Sequence, residues 1–167
     1  KRYRAQQGSI NVLSGAPYGY RYVKKSDTAA AYYEVLESEA VVVRLVYEAY
    51  TRQGLSINAI ARLLNERQIP TRAETTRWER STVWGLLRNP AYQGRACYGK
   101  TELRPRQRIT RPLRQRNGFA SRNSASHERP HQDWIEIAVP ALISEEMFSL
   151  AQEQLQQNKW HSPRRTI

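Results

Sequence analysis

The chain has 167 residues, 40% of them hydrophobic, which is enough for one domain with a real core and excludes a wholly disordered tail. Its 27 Lys+Arg against 15 Asp+Glu give a net charge of +12 and a pI near 10.3, a balance that favours a polyanionic partner, with nucleic acid the leading candidate. No stretch approaches the roughly 20 apolar residues of a spanning helix, no basic amphipathic helix stands out, and the single Cys97 can form neither an internal disulfide nor a CxxC zinc pair, as suits a reducing interior.

The chain begins at Lys1 and its only methionine is Met147, so a piece of a longer polypeptide is expected; no charged n-region followed by an apolar h-region marks a signal peptide. Lys1-Arg2-Tyr3-Arg4 fits either a connecting helix end or a phosphate-contacting arm. In Gly15-Ala16-Pro17-Tyr18-Gly19-Tyr20-Arg21, Pro17 fixes one φ and Gly19 permits a sharp bend between two aromatic rings. This corner should be anchored by Tyr18 and Tyr20, with Arg21 in reach of a phosphate. Tyr32 to Leu36 is rich in strand formers and is expected to pair with the segment near Tyr20 to Lys24 in a small hairpin.

Val43, Val46, Tyr47 and Tyr50 follow an i, i+3, i+4, i+7 pattern between Ser38-Glu39 and Gly54, which predicts an amphipathic helix. Ile57, Ile60, Ala61 and Leu64 repeat that spacing behind a Ser56 cap and stop before Pro70, predicting a second helix whose Arg62 and Arg67 form a solvated face. The connection from Ile69 to Trp78 is too long for a tight helix-turn-helix, so a looser three-helix arrangement is expected. Trp78 should pack at the base of the third helix, with Arg72 and Arg77 on a loop flanking a groove.

The third helix is the stretch around which the chain is organised. Ser81 is expected to cap its first turn, and Asn89, preceding Pro90, is pushed out of the helical region. Val83, Leu86 and Leu87 share one face for a core, leaving Arg80, Thr82, Trp84, Gly85 and Arg88 for a partner or simply for solvent. Ala91 to Tyr98 alternates as a returning strand and would close the compact unit.

From Lys100 to His131 there are nine basic residues against two acidic ones, a net +7 of the chain's +12. Apolar residues are sparse and no period survives, so a flexible linker is expected whose Lys100, Arg104, Arg106 and Arg108 meet phosphates rather than bases. Trp134 to Val139 alternates as a strand ended by Pro140. Ser144 then opens a helix with Glu145 and Glu146 in its first turn and Met147 or Phe148, Ala151 and Leu155 on its apolar face. This small piece either docks on the first domain or belongs to a domain continuing past Ile167.

His127-Glu128-Arg129-Pro130-His131 matches the letters of the H-E-x-x-H zinc motif, but Pro130 would disrupt the helix that places both histidines on one face, so no metal site is assigned. No Walker-type loop, G-x-G-x-x-G or G-x-S-x-G occurs, and no serine has a neighbouring base or oxyanion hole. No catalytic residue and no cofactor are therefore assigned.

Taken in order, Gly15 to Arg21, Glu39-Ala40 with Val42-Val43-Arg44, Gly54-Leu55-Ser56 with Ile60-Ala61 and Leu64-Asn65, Ile69-Pro70-Thr71-Arg72, and Trp78 with Ser81-Thr82-Val83 and Leu87 to Gly94 resemble the recombinase domain of large serine recombinases. Ala141 to Phe148 looks like the helix leading into that family's zinc ribbon. The resemblance implies an α+β fold: a trihelical DNA-binding core with a small hairpin over residues 1–98, a basic linker over 99–131, and a strand-helix piece over 132–167. It also implies a catalytic serine upstream of Lys1, zinc cysteines beyond Ile167, and a bacterial cytoplasmic protein that self-associates on duplex DNA at an attachment or transposon-end site while this segment itself cuts nothing. Carried over by position, the DNA contacts would come from Arg72, Arg77, Arg80, Ser81, Thr82, Trp84 and Arg88. Trp84 departs from the small polar or basic residue usual at its place, and either packs locally, the favoured reading, or meets a thymine methyl.

Overall fold

In the computed structural model, which describes residues 1–13, 15–73, 77–105 and 124–160, the Pro17-Tyr18-Gly19 corner turns the chain into the first strand. Gly19 has φ +95° and a Cβ there would stand 2.7 Å from Leu142 Cδ1, so only glycine fits this approach. Strand β1 (Tyr20–Val23) pairs antiparallel with β2 (Tyr32–Val35), Tyr20 opposite Val35 and Val23 opposite Tyr32, the hairpin expected from the sequence. A short helix α1 (Arg2–Gln6) precedes it and buries only Ala5.

Three helices follow: α2 (Glu37–Thr51), α3 (Ile57–Glu66) and α4 (Arg80–Leu87), which pack on one another as the expected trihelical core. Val43, Val46, Tyr47 and Tyr50 of α2 and Ile60, Ala61 and Leu64 of α3 are all buried, as their spacing requires. Ser56 caps α3, its Oγ accepting from the Ala59 N–H at 3.2 Å.

The chain from 132 onward docks on this core rather than standing apart. Strand β3 (Arg95–Tyr98) pairs antiparallel with β6 (Ile135–Ala138), Ala96 opposite Ile137. Helix α5 (Glu145–Trp160), capped by Ser144 Oγ accepting from Met147 N–H at 3.2 Å, lies against α2. Ile137, Leu142, Ile143, Phe148 and Ala151 therefore belong to the same hydrophobic cluster as the trihelical core, and the compact unit does not close at Tyr98.

The basic linker also differs from its expectation at both ends. Strand β4 (Thr101–Pro105) pairs antiparallel with β5 (Ser124–Glu128), with Thr101 opposite Glu128 and Pro105 opposite Ser124. A backbone bond from Arg129 N–H to the Lys100 carbonyl, 2.8 Å, closes the base of this ribbon. It has no buried apolar face, which is why no hydrophobic period announced it. Arg106 and Arg108 lie outside the described residues.

Tyrosines dominate the centre. Tyr20, Tyr47 and Tyr92 are buried, with Tyr20 and Tyr92 stacked at 6.0 Å and Tyr47 edge-on to Tyr92 at 6.1 Å. Their hydroxyls are satisfied by carbonyls: Tyr20 Oη lies 2.6 Å from Pro140 O and 2.9 Å from Ala91 O, and Tyr92 Oη donates to Tyr18 O at 2.9 Å. Burial raises the pKa of all three phenols.

Candidate nucleic-acid interface

Helix α4 is held at both ends by side chains from other elements. At its entrance Asn65 of α3 clasps the backbone of Trp78, its Oδ1 accepting from Trp78 N–H at 2.6 Å and its Nδ2 donating to Trp78 O at 3.0 Å. The Trp78 indole is buried and donates to Ile69 O at 2.9 Å, and Tyr18 packs edge-to-face on its ring at 5.1 Å. At its exit the last carbonyls of α4 find partners in Tyr47 Oη, 3.2 Å from both Leu86 O and Leu87 O, and in the Gln152 amide, 2.7 Å from Leu87 O. Asn89 is extended, at φ −87° and ψ 110°, as its place before Pro90 demands.

The expected cap at Ser81 is not present. The helix begins at Arg80, Glu79 occupies the cap position without a side-chain bond, and the first turn closes through N–H bonds from Thr82 and Val83 to Glu79 O. The cap position thus falls at Glu79, two residues before Ser81, directly after the Trp78 backbone that Asn65 holds. The Ser81 side chain is left exposed on the first turn.

Val83, Leu86 and Leu87 are buried, and Arg80, Ser81, Thr82, Trp84, Gly85 and Arg88 are exposed, so α4 stands as a ridge. A concavity of about 410 Å³ runs along one side, with Arg77, Thr82 and Gly85 on its wall and Tyr18, Trp78 and Tyr92 beneath. A second of about 410 Å³ runs along the other, bounded by Trp84, Gly85 and Arg88 on the helix and by Lys100, Thr101 and Ser126 at the base of the β4–β5 ribbon. Gly85 is an exposed glycine within a helix, a choice that costs about 1 kcal/mol relative to alanine.

The cations around this ridge differ in their freedom. Arg80 is exposed on the first turn. Arg77 is also exposed and makes a 2.9 Å pair with Glu79, two residues on. Arg88 lies with its guanidinium carbon 4.4 Å from the centroid of the Trp84 ring, and its Nη2 is 3.7 Å from Glu128 Oε1 of β5. Trp84 thus packs locally on Arg88, as favoured from the sequence, while 44% of it remains exposed. Lys100 is half-buried at the ribbon base, and Arg104 on β4 pairs with Glu102.

Two residues expected at the interface also make contacts within the fold. Arg72 donates to the carbonyls of Ala16 and Tyr20 and pairs with Glu39, whose carboxylate also accepts from Gly19 N–H at 2.7 Å. It clamps the corner to α2 and also lines the concavity that holds Arg77 and Thr82. Arg21 sits on β1 and is held by Glu34 across the hairpin through Nε at 2.9 Å and Nη2 at 2.5 Å. What the sequence reading missed is Glu128, the acidic partner facing Arg88, and Asn65, which sets where α4 begins. Neither carries a local signal, since each acts through a contact distant in the chain.

No group of three or more His, Cys, Asp or Glu able to hold a metal occurs among the described residues. His127 lies on β5 and His131 in a short 3-10 turn, where it stacks on Trp134 at 4.0 Å, so the two histidines do not share a helix face. Cys97 is buried and its thiol pKa is raised, chiefly by burial, which suits packing and not nucleophilic chemistry. No helix among the described residues is long and apolar enough to cross a membrane.

Residues 37–158 match the model of the Recombinase family. The chain is 27% identical over 150 residues to a protein of Bacillus subtilis (strain 168) named "Putative DNA recombinase", a likeness that spans 85% of this chain and 27% of the relative. In fold it is similar to "Crystal Structure of a LSR-DNA Complex" (TM-score 0.59, 17% identity, 95% of this chain and 40% of that one). A second similar fold is that of "Sequence Requirements of the Listeria innocua prophage attP site" (TM-score 0.55, 16% identity, 97% of this chain and 54% of that one). The chain thus spans about a quarter of the length of the curated relative and about half or less of the solved chains. With the ordered motifs of the sequence, the α+β trihelical fold and a family match over most of its length, the chain belongs to the Recombinase family.

Proposed function

We propose that this chain is a sequence-reading duplex-DNA-binding module of a site-specific serine recombinase. The observation that carries the reading is the α4 ridge, a helix buttressed at both ends, with an exposed polar face between two concavities that have cationic rims. A major groove is about 12 Å wide and admits one α-helix between two phosphate backbones, a shape that such a ridge complements. Arg80, Ser81, Thr82 and Arg88 supply donors for base edges, and Arg77 and Lys100 supply charge for the flanking phosphates. The two similar folds, described by their names as a DNA complex and as concerning an attP site, support the same partner.

Within a longer recombinase, the module holds a catalytic domain outside this chain on an attachment or element-end site, where copies of the protein associate on DNA. In this reading the role of the chain is placement.

The test starts from duplexes enriched by the chain from a random pool. Arg80→Ala and Thr82→Ala should each weaken binding to the enriched duplex by about 1–3 kcal/mol where the side chain contacts a base, and change binding to random duplex much less. Equal losses on both would reassign these residues to phosphate contacts. Tighter binding to structured RNA than to any duplex would replace the reading with that of an RNA-binding basic domain.

A further inference from the structure

Gly85 has no structural reason to be glycine. Its φ is not in the left-handed region, and a Cβ built on it would meet nothing within 4 Å, in contrast to Gly19, where a Cβ would collide with Leu142. At about 3.6 residues per turn it shares with Ser81, one turn before it, the crest of the ridge opposite the buried Val83, Leu86 and Leu87. It is also the exposed residue common to both concavities; Asn89, which lines both as well, is half-buried and uses its side chain to accept from Ala91 N–H. Side chains stand around this bare point: Ser81 and Thr82 one turn before it, Trp84 next to it and Arg88 one turn after it.

We infer that Gly85 sets the depth of α4 in the DNA major groove and is thereby a specificity-determining position: its missing side chain leaves the space that a base-pair edge fills. The inference rests on the DNA-binding reading above. A methyl group at the crest would hold the helix back from the bases. Hydrogen bonds from short side chains such as Ser81 and Thr82 are lost within a few tenths of an ångström beyond about 3.2 Å. Phosphate contacts made by long Arg and Lys side chains can follow a small displacement, so they survive it. The change therefore separates sequence reading from general DNA affinity.

The experiment measures binding of the parent chain, Gly85→Ala, Gly85→Leu and Arg80→Ala to the enriched duplex and to random duplex, together with thermal unfolding. Gly85→Ala should lose at least about tenfold in affinity for the enriched duplex and less than about twofold for random duplex, with Gly85→Leu losing more. Its unfolding temperature should equal or exceed the parent's, because alanine favours the helix. Undiminished binding of Gly85→Ala to the enriched duplex, or a lower unfolding temperature, overturns the inference. If Arg80→Ala loses the preference for enriched duplex and Gly85→Ala keeps it, the inference alone falls. If the parent shows no preference between enriched and random duplex, the proposed function falls and carries the inference with it.

Discussion

Arg72 donates to two backbone carbonyls and pairs with Glu39, joining the Pro17 to Tyr20 corner to α2. Hydrogen bonds involving a charged group contribute about 1.5–3 kcal/mol, less where solvent reaches them, and 41% of this side chain is exposed. Arg72→Ala should therefore destabilise the fold by about 1–2 kcal/mol in urea unfolding, whereas Arg77→Ala, in its exposed pair with Glu79, should change stability by less than about 0.5 kcal/mol. The sequence placed both arginines in one loop and could not tell the clamp from the exposed cation, because the distinction lies in Glu39, Ala16 and Tyr20, all distant in the chain. Trp78 and Tyr20 were legible for the opposite reason. A large ring at the entrance of an amphipathic helix, or beside a glycine bend, has few places to go other than the core.

Helices were legible where an apolar period fixes a face, as in α2, α3 and α5, and the β1–β2 hairpin was legible from its strand formers. The start of α4 was not: local preference suggests a Ser81 cap, whereas Glu79 holds the cap position, just after the Trp78 backbone that the distant Asn65 bonds. The β4–β5 ribbon escaped for want of a buried face. The docking of β6 and α5 was left open by sequence and is decided by packing: Ile137 is 1% exposed and sits opposite Ala96 in the β3–β6 pair. Ile137→Ala should cost about 2–4 kcal/mol, measured as a lower urea midpoint with unchanged slope, as expected for loss of a side chain from one shared core. A change within about 0.5 kcal/mol would instead make the C-terminal piece an independent appendage.

Across the whole molecule, five buried tyrosines, with Tyr18 and Tyr98 packed against the same core, crowd around the corner, the hairpin and the three helices. Burial pushes the Tyr33 phenol up to about 12 and raises those of Tyr20, Tyr47 and Tyr92 above the ordinary value near 10. The native state thus retains protons that the unfolded chain releases above pH 10, so stability is fully present below pH 10 and falls as pH rises from 10 through 12. Urea midpoints across that window should decline, and Tyr33→Phe should decline less steeply than the parent.

A net charge of +12 favours a polyanionic partner without selecting a sequence; the ridge is what would give it an address. Guanine N7 faces the major groove and adenine N3 the minor groove, so methylation interference on the enriched duplex separates the two approaches. With α4 in the major groove, methylated guanine N7 within the enriched site should block binding, and Gly85→Ala should weaken binding to the same unmethylated site. Interference confined to adenine N3, with guanine N7 methylation tolerated throughout the site, would contradict the placement of α4 in the major groove.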